Sequence, residues 1–456
     1  MLRGLFLGAL AGAAVAGLPG NPWVALAGAI AGGIAGWKLV PARAGFSPWS
    51  LAVLAFVVPA ITLPVAPGAD MAMHVALARG LVHGVLSPAW PGVRVALYPR
   101  GFSALVAALA PAGWAEAGLL AAGASYLVFW AGLAAILEAL RTPAARTMAA
   151  VALLLSRTPQ AFFGWGGNAT AMAIGLALFG AAQEGPIAAL FLAGAAATHP
   201  MGGCAGALAV LLRREWRTTA WAAAGLGLVL VALALLGPAL SAREIHWIRD
   251  YAGRQESAGF GVLGDPANIV TGLAAAVLLW RRQFRPLLRS AAAVAGLAAL
   301  FLLLPYAGMY PVRFAPLLLV AVVPLWAQAA AAQIPMLAPL ALLAALPGHL
   351  RWYQEASPMA TREDLAAIRC LRGTVPDGAV IDGAYGDATQ WIPALAGRPI
   401  TRPHQHVSLF DETDAALAKL PSPSWRFVGD TLRYPPAIGP PPADVAPLCD
   451  RHLYKR

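Results

Sequence analysis

The first 348 residues are nearly free of carboxylate. Of the 21 acidic residues in the chain, 12 lie beyond residue 349, in less than a quarter of its length. Apolar stretches of roughly 15–25 residues recur through the carboxylate-poor part, which is the transmembrane signature. A soluble core of that size would need a charged surface, with about a quarter of residues charged. Here 12% of the chain is charged and 59% is hydrophobic. The pattern predicts an all-α polytopic membrane protein over residues 1–348, with about 13 transmembrane helices. A small α/β domain is expected over residues 349–456.

The net charge of +11 would fit a nucleic-acid partner only if the basic residues shared one soluble face. Instead they fall in short clusters between apolar runs: Lys38 and Arg43; Arg141 and Arg146; Arg213, Arg214 and Arg217; Arg281, Arg282, Arg285 and Arg289. Such clusters mark cytoplasmic loops, and no nucleic-acid partner is expected. Leu5–Leu18 has the flavour of a signal peptide, but Asn21-Pro22 leads straight into a second apolar run, Trp23–Val40. A hairpin of two helices is the reading, not a cleaved leader.

Starting from a cytoplasmic N-terminus, the expected spans are 3–19, 22–40, 49–66, 115–139, 146–163, 168–183, two short helices within 186–212, then 218–240, 266–280, 289–305, 314–331 and 334–348. The first outer loop covers 67–114 and contains an interfacial helix over 101–113. Breaking 186–212 at His199-Pro200-Met201-Gly202-Gly203 keeps every basic cluster on one side, because proline and glycine interrupt helices. It also puts His199 at the outer surface. The result is a multi-pass protein of the plasma (inner) membrane with an extracytoplasmic C-terminal domain. In this topology Asp70, His74, Arg100, Arg157, His199, Arg243, Glu244, His246 and Arg313 all face outward, which points to chemistry or binding at the outer surface.

Asp70 is the only acid before Glu116. A carboxylate beside the membrane can act as general base on a hydroxyl acceptor; it can also be a helix N-cap. His74 is one turn further along the same face, placed to orient Asp70, to contact substrate, or simply to sit at an amphipathic interface. Arg100, in Tyr98-Pro99-Arg100-Gly101, can hold a phosphate or snorkel to headgroups. Arg157 precedes Trp165-Gly166-Gly167-Asn168, whose indole fits either sugar stacking or an aromatic belt. Asn168-Ala169-Thr170 matches a glycosylation pattern, read as chance so near the membrane. Arg243 and His246, with Arg313, fit a cationic pocket for a lipid-linked phosphate or generic headgroup contact. A metal on Asp70, His74, His199 and His246 is conceivable, but the spacing matches no ligand motif. No cofactor is expected.

In the C-terminal part, Thr361 to Asp364 opens a helix with capping-box character, and 379–382, 425–428 and 452–454 read as strands. Helices are expected over 388–395 and 411–420. There is no Gly-rich phosphate loop, CxxC or HExxH. Cys204 reads as packing in an apolar run. Cys370 and Cys449, on the oxidising side of this topology, are expected to form a disulfide, the alternative being two buried thiols.

Asp70 early in the first large outer loop, Tyr98-Pro99-Arg100-Gly101 before an apolar helix, and the Thr198-His199-Pro200 break together resemble the GT-C class of membrane glycosyltransferases. That class includes the protein mannosyltransferases and the lipid A aminoarabinose transferase. The many-helix body ending in an outer domain, and Gln390-Trp391-Ile392-Pro393-Ala394-Leu395-Ala396-Gly397-Arg398, add to the resemblance. It implies a sugar donor on a polyprenyl phosphate, Asp70 as base and His199 as a pocket residue, with basic residues holding the lipid phosphate. The chain departs from many relatives in having Asp70 alone where they carry an acidic pair, and in lacking an acid over 156–170. Competing expectations are a transporter or flippase of a lipid-linked glycan and a catalytically silent membrane scaffold. The absence of internal repeats and of mid-membrane polar residues disfavours the transporter.

Overall fold

The computed structural model describes residues 2–17, 21–40, 63–83, 100–137, 166–199, 201–203, 205–206, 216–236, 246, 267–303, 315–332, 340, 343, 358–384, 386–402, 418–430 and 445–455. The body begins with a hairpin of α1 (Leu2–Ala16) and α2 (Pro22–Leu39). Pro22 opens α2 where its missing N–H costs nothing, and the Asn21 side chain accepts from the N–H groups of Trp23 and Val24. Gly4, Gly8 and Gly12 face Gly36, Gly32 and Gly28, and a Cβ at any of these would overlap the opposing helix. Backbones approach this closely only through glycine, the small-residue packing that substitutes for a hydrophobic driving force between apolar helices.

α3 (Ala69–His83), α4 (Arg100–Leu109) and α5 (Trp114–Leu137) follow. Next come α6 (Asn168–Ala181), α7 (Gly185–Thr198) and α8 (Trp216–Leu236). The body closes with α9 (Ala267–Trp280), α10 (Phe284–Leu303) and α11 (Ala315–Ala331). Packing of α5 on α6 is again set by glycine: Gly132 and Gly175 meet backbone to backbone.

The expectation of about 13 spans is overturned. Among the described residues one helix, over Trp114–Ala135 in α5, is long and apolar enough to cross a membrane. The apolar helices at Gly4–Ala16, Trp23–Leu39, Asn168–Ala181, Gly185–Thr198, Asn268–Trp280 and Ala321–Ala331 are shorter. Pro and Gly punctuation ends them early: Pro19-Gly20 after α1, Gly185-Pro186 after α6, His199-Pro200 after α7. At 1.5 Å per residue, the 14 residues of α6 reach about 21 Å, short of a hydrocarbon core of about 30 Å. The span expected at 146–163 and nearly all of 334–348 lie outside the described residues; of that expected at 49–66, only 63–66 are described, and they are not helical. The helix expected to lie at the interface over 101–113 is instead buried: α4 packs among α1, α2, α3, α5 and α7, with Gly101 to Ala104, Val106 and Ala107 enclosed.

In the C-terminal part, α12 (Arg362–Thr374) starts with a complete capping box, Thr361 Oγ1 accepting from Asp364 N and Asp364 accepting from Thr361 N. β1 (Ile381–Asp382) runs parallel to β2 (Trp425–Phe427), which pairs antiparallel with β3 (Leu453–Lys455). A 3-10 turn over Ala388–Trp391 leads into the single turn α13 (Ile392–Leu395). Of the helix expected over 411–420, residues 418–420 are described and form a turn. Cys370 and Cys449 are joined by a disulfide with their Cα atoms 5.7 Å apart.

This part packs directly onto the body. Arg79 of α3 donates to the carbonyls of Ala394 (3.1 Å) and Leu395 (2.9 Å). Arg372 reaches the same Leu395 oxygen. Arg398 donates to Val375 O at 3.0 Å and pairs with Asp377. The orphan carbonyls of a one-turn helix thus become the handle by which α3 holds the C-terminal part. Trp391, fully buried, puts its ring edge over Gly118 of α5, beside Met71 and Val75 of α3.

Candidate functional site

Four segments are linked by contacts: α3 and the end of α7 pack on α4, and the turn before α6 packs on the start of α3. Asp70 lies in the first turn of α3 and is buried; a carboxylate there is favoured by the helix dipole. His74, one turn on and also buried, has its Nδ1 3.3 Å from Ser103 Oγ of α4. Its ring sits edge-on to Phe102 with centroids 4.7 Å apart. These contacts fix the imidazole on the Asp70 face of α3. On the other side of α4, Gly101 lies against the last turn of α7: an added Cβ would stand 2.5 Å from Ala197 O and 2.9 Å from Ala14 O. Any larger residue at 101 would push the two helices apart.

α7 ends where the sequence places the break. His199 is extended (φ −160°, ψ 139°) and helical backbone resumes at Met201. The ring is buried, not at a surface. Its Nδ1 accepts the Met201 N–H at 3.2 Å, so the neutral ring carries its proton on Nε2.

The fourth segment is the turn before α6. Gly166 has φ +94°, and an added Cβ would stand 3.1 Å from Asp70 Cβ and 3.2 Å from Asp70 N. Glycine is needed there both for the left-handed backbone and for the approach. Asn168 and Thr170 are each about 1% exposed, which bars glycosylation of the Asn168-Ala169-Thr170 pattern in this fold.

His74 thus packs on α4, whose first, partly buried residue is Arg100; the α7 end that carries His199 abuts the same helix at Gly101, and Asp70 lies one turn before His74 on α3. His246 is exposed. Tyr98, Arg157, Arg243 and Arg313 lie outside the described residues.

A second polar cluster escaped the sequence. Asp364, Asp430 and His452 hold their ligand-type atoms within 4.8 Å of one another. Asp364 and His452 are buried; Asp430 is half-exposed. His452 Nδ1 is 2.8 Å from Val428 O and 3.5 Å from Asp364 Oδ1, while Nε2 is 3.7 Å from Asp430 Oδ2. Asp364 also accepts from Asp430 N at 2.9 Å. The set could hold a cation, yet each carboxylate already accepts a hydrogen bond from Thr361. Next to it, Asp387 accepts from Thr389 N at 2.8 Å and Gly429 N at 3.4 Å. Burial pushes its carboxyl up to about 6, against those hydrogen bonds and with the Asp364 charge adding to the rise. Only the capping-box spacing at Thr361 signalled any member of this group in the sequence. The partners lie 66 and 88 residues from Asp364, beyond the reach of local pattern.

No protein-family model, no curated protein and no solved structure matches this chain.

Proposed function

We propose that the chain is a membrane-associated glycosyltransferase that moves a sugar from a polyprenyl-phosphate donor to a hydroxyl acceptor, with Asp70 as general base. The observation that supports the reading is that α4 is packed on one side by His74, one turn from buried Asp70, and on the other by the last turn of α7 before the His199 break. Buried ionisable groups are costly in an apolar body and mark functional sites, and Asp70, His74 and His199 are all buried. In the proposed step Asp70 takes the acceptor hydroxyl proton as that oxygen bonds to the sugar anomeric carbon. The bond from that carbon to the phosphate oxygen breaks, and polyprenyl phosphate leaves with the electron pair. His74 orients Asp70, and His199 serves as a pocket residue. Arg100, the first residue of α4, holds the phosphate, with Tyr98, Arg157, Arg243, His246 and Arg313 as the further donor-binding residues.

Lipid contact is supported by apolar side chains left on the outside: Trp23 is 77% exposed, Leu235 81% and Trp280 78%. Exposed apolar surface of this kind marks an interaction with membrane or protein. The test is transfer of labelled sugar from a synthetic polyprenyl-phosphate donor by membranes containing the full chain. Labelled acceptor above the level of membranes without the chain is expected; equal labelling in both would rule the reading out.

A further inference from the structure

We propose that Asn168 donates a hydrogen bond from Nδ2 to the acceptor oxygen on which Asp70 acts, at the buried N-terminus of α6. The identity of that oxygen rests on the glycosyl-transfer reading above; the vacancy of the donor does not. All 14 residues of α6 are buried. Its N-cap is Gly167, which has no side chain to satisfy the first-turn N–H groups. Asn168, the first helical residue, is about 1% exposed, and its Nδ2 has no hydrogen-bond partner. Buried amide donors are nearly always paired, so a lone one at an uncapped helix start is a place made for an incoming oxygen.

The direction fits. Cα–Cβ bonds tilt toward the N-terminus of a helix, so the carboxamide projects past the start of α6. That is the side on which Gly166 packs on Asp70, where an added Cβ would stand 3.1 Å from its Cβ and 3.2 Å from its N. The Gly166–Asp70 approach brings the N-termini of α3 and α6 side by side, with Asp70 in the first turn of one and the Asn168 amide in the first turn of the other.

The ligand chemistry follows from the charges. A permanent anion at that spot would face the Asp70 carboxylate at close range and be repelled. A hydroxyl is neutral on arrival and gains negative charge only as its proton passes to Asp70. The Nδ2–H bond and the positive helix end then stabilise the oxygen as the bond to the sugar forms. Asn168 is therefore placed for the transition state more than for binding.

The test uses the full chain with Asn168→Leu, an apolar residue of similar size. Transfer of labelled sugar is measured in membranes, and Tm on the ligand-free protein purified in detergent. Asn168→Leu is expected to lower kcat by about 10²–10³-fold with the donor KM unchanged, while Tm stays level or rises because an unmet donor has gone. Unchanged kcat overturns the proposal, and so does a clear fall in Tm, which would mean that the amide is bonded within the fold. If the leucine variant does not accumulate, Asn168→Ala is read in the same way. Wild-type membranes that transfer nothing would remove the glycosyl-transfer reading. The Tm arm would then decide on the donor alone: a rise supports a vacant amide, a fall overturns it.

Discussion

The α1–α2 hairpin and the C-terminal α/β part solve the same problem with opposite means. In the hairpin, three glycines on each helix bring backbone against backbone, and no side-chain hydrogen bond between the two helices is needed. In the C-terminal part, a few short strands and one three-turn helix are held by a capping box, arginine–carbonyl bonds, a buried carboxylate–histidine group and a disulfide. Where surroundings are apolar, close contact is the resource, and it tolerates no added atom. Where a small unit has little core of its own, directed bonds and a covalent link supply what area cannot. The candidate site sits between the two, on α3, which belongs to the body yet is gripped by the C-terminal part through Arg79 and Trp391.

The comparison predicts where each region breaks. The largest effect is expected from Gly32→Leu, whose side chain must enter Gly8 and Gly12 backbone. The hairpin should lose about 4 kcal/mol or more, read as rapid proteolysis within 2–40; a protected hairpin would show that the glycines are not the contact. Removing Cys370 and Cys449 together should cost about 2–4 kcal/mol, confined to the C-terminal part. Cys449, Asp450 and Arg451 all hold positive φ (48°, 54° and 72°), a strained run that the bond and β3 keep in place. Hydrogen exchange should therefore rise at 445–455 and not in α1 or α2.

Asp387 gives the C-terminal part a pH dependence. Its carboxyl binds the proton more tightly folded (about 6) than in its ordinary state at 3.8. The stability it contributes is full below about 3.8 and is lost as pH rises through about 6. Asp387→Asn should remove that loss, on the order of 2–3 kcal/mol between the two limits. Tm against pH for wild type and variant should diverge upward through pH 6, and parallel curves would refute the assignment. The smallest effect is the control for the first: Gly227 of α8 has nothing within 4 Å of an added Cβ. Gly227→Ala should stabilise by about 0.5–1 kcal/mol through helix propensity alone, and a loss of stability would mean that glycine serves contact even where the fold looks open.

What was legible in the sequence follows period and punctuation. The starts of α2 and α12 are written in Asn21-Pro22 and in Thr361 with Asp364, and the break of α7 in His199-Pro200. The strands at 381 and 425 follow from short β-rich runs between turns. The runs expected at 3–19 and 168–183 already stop at Pro19-Gly20 and before Gly185-Pro186; the error lay in counting runs this short as spans, when about 20 residues are needed. The burial of α4 was hidden because Arg100 and the short apolar run read as an interfacial helix, whereas the tight seat of Gly101 on α7 exists only in three dimensions. Asp70, His74 and His199 stood out as polar residues in apolar chain. Asn168 did not, because in the sequence it reads only as part of a chance glycosylation pattern, Asn168-Ala169-Thr170. The Arg79 grip and the Asp364–Asp430–His452 group join residues far apart in the chain, and beyond the capping-box spacing at Asp364 no local signal marks them.

The central claim is that the body exists to hold Asp70 as a base against a hydroxyl acceptor. The most direct measurement is the rate of labelled-sugar transfer by Asp70→Asn at equal amounts of folded full-length protein. The account predicts a loss of about 10²–10⁴-fold with Tm preserved, since Asn keeps the shape of the first turn of α3. A variant that transfers at the wild-type rate would contradict it and leave Asp70 as a helix-end charge.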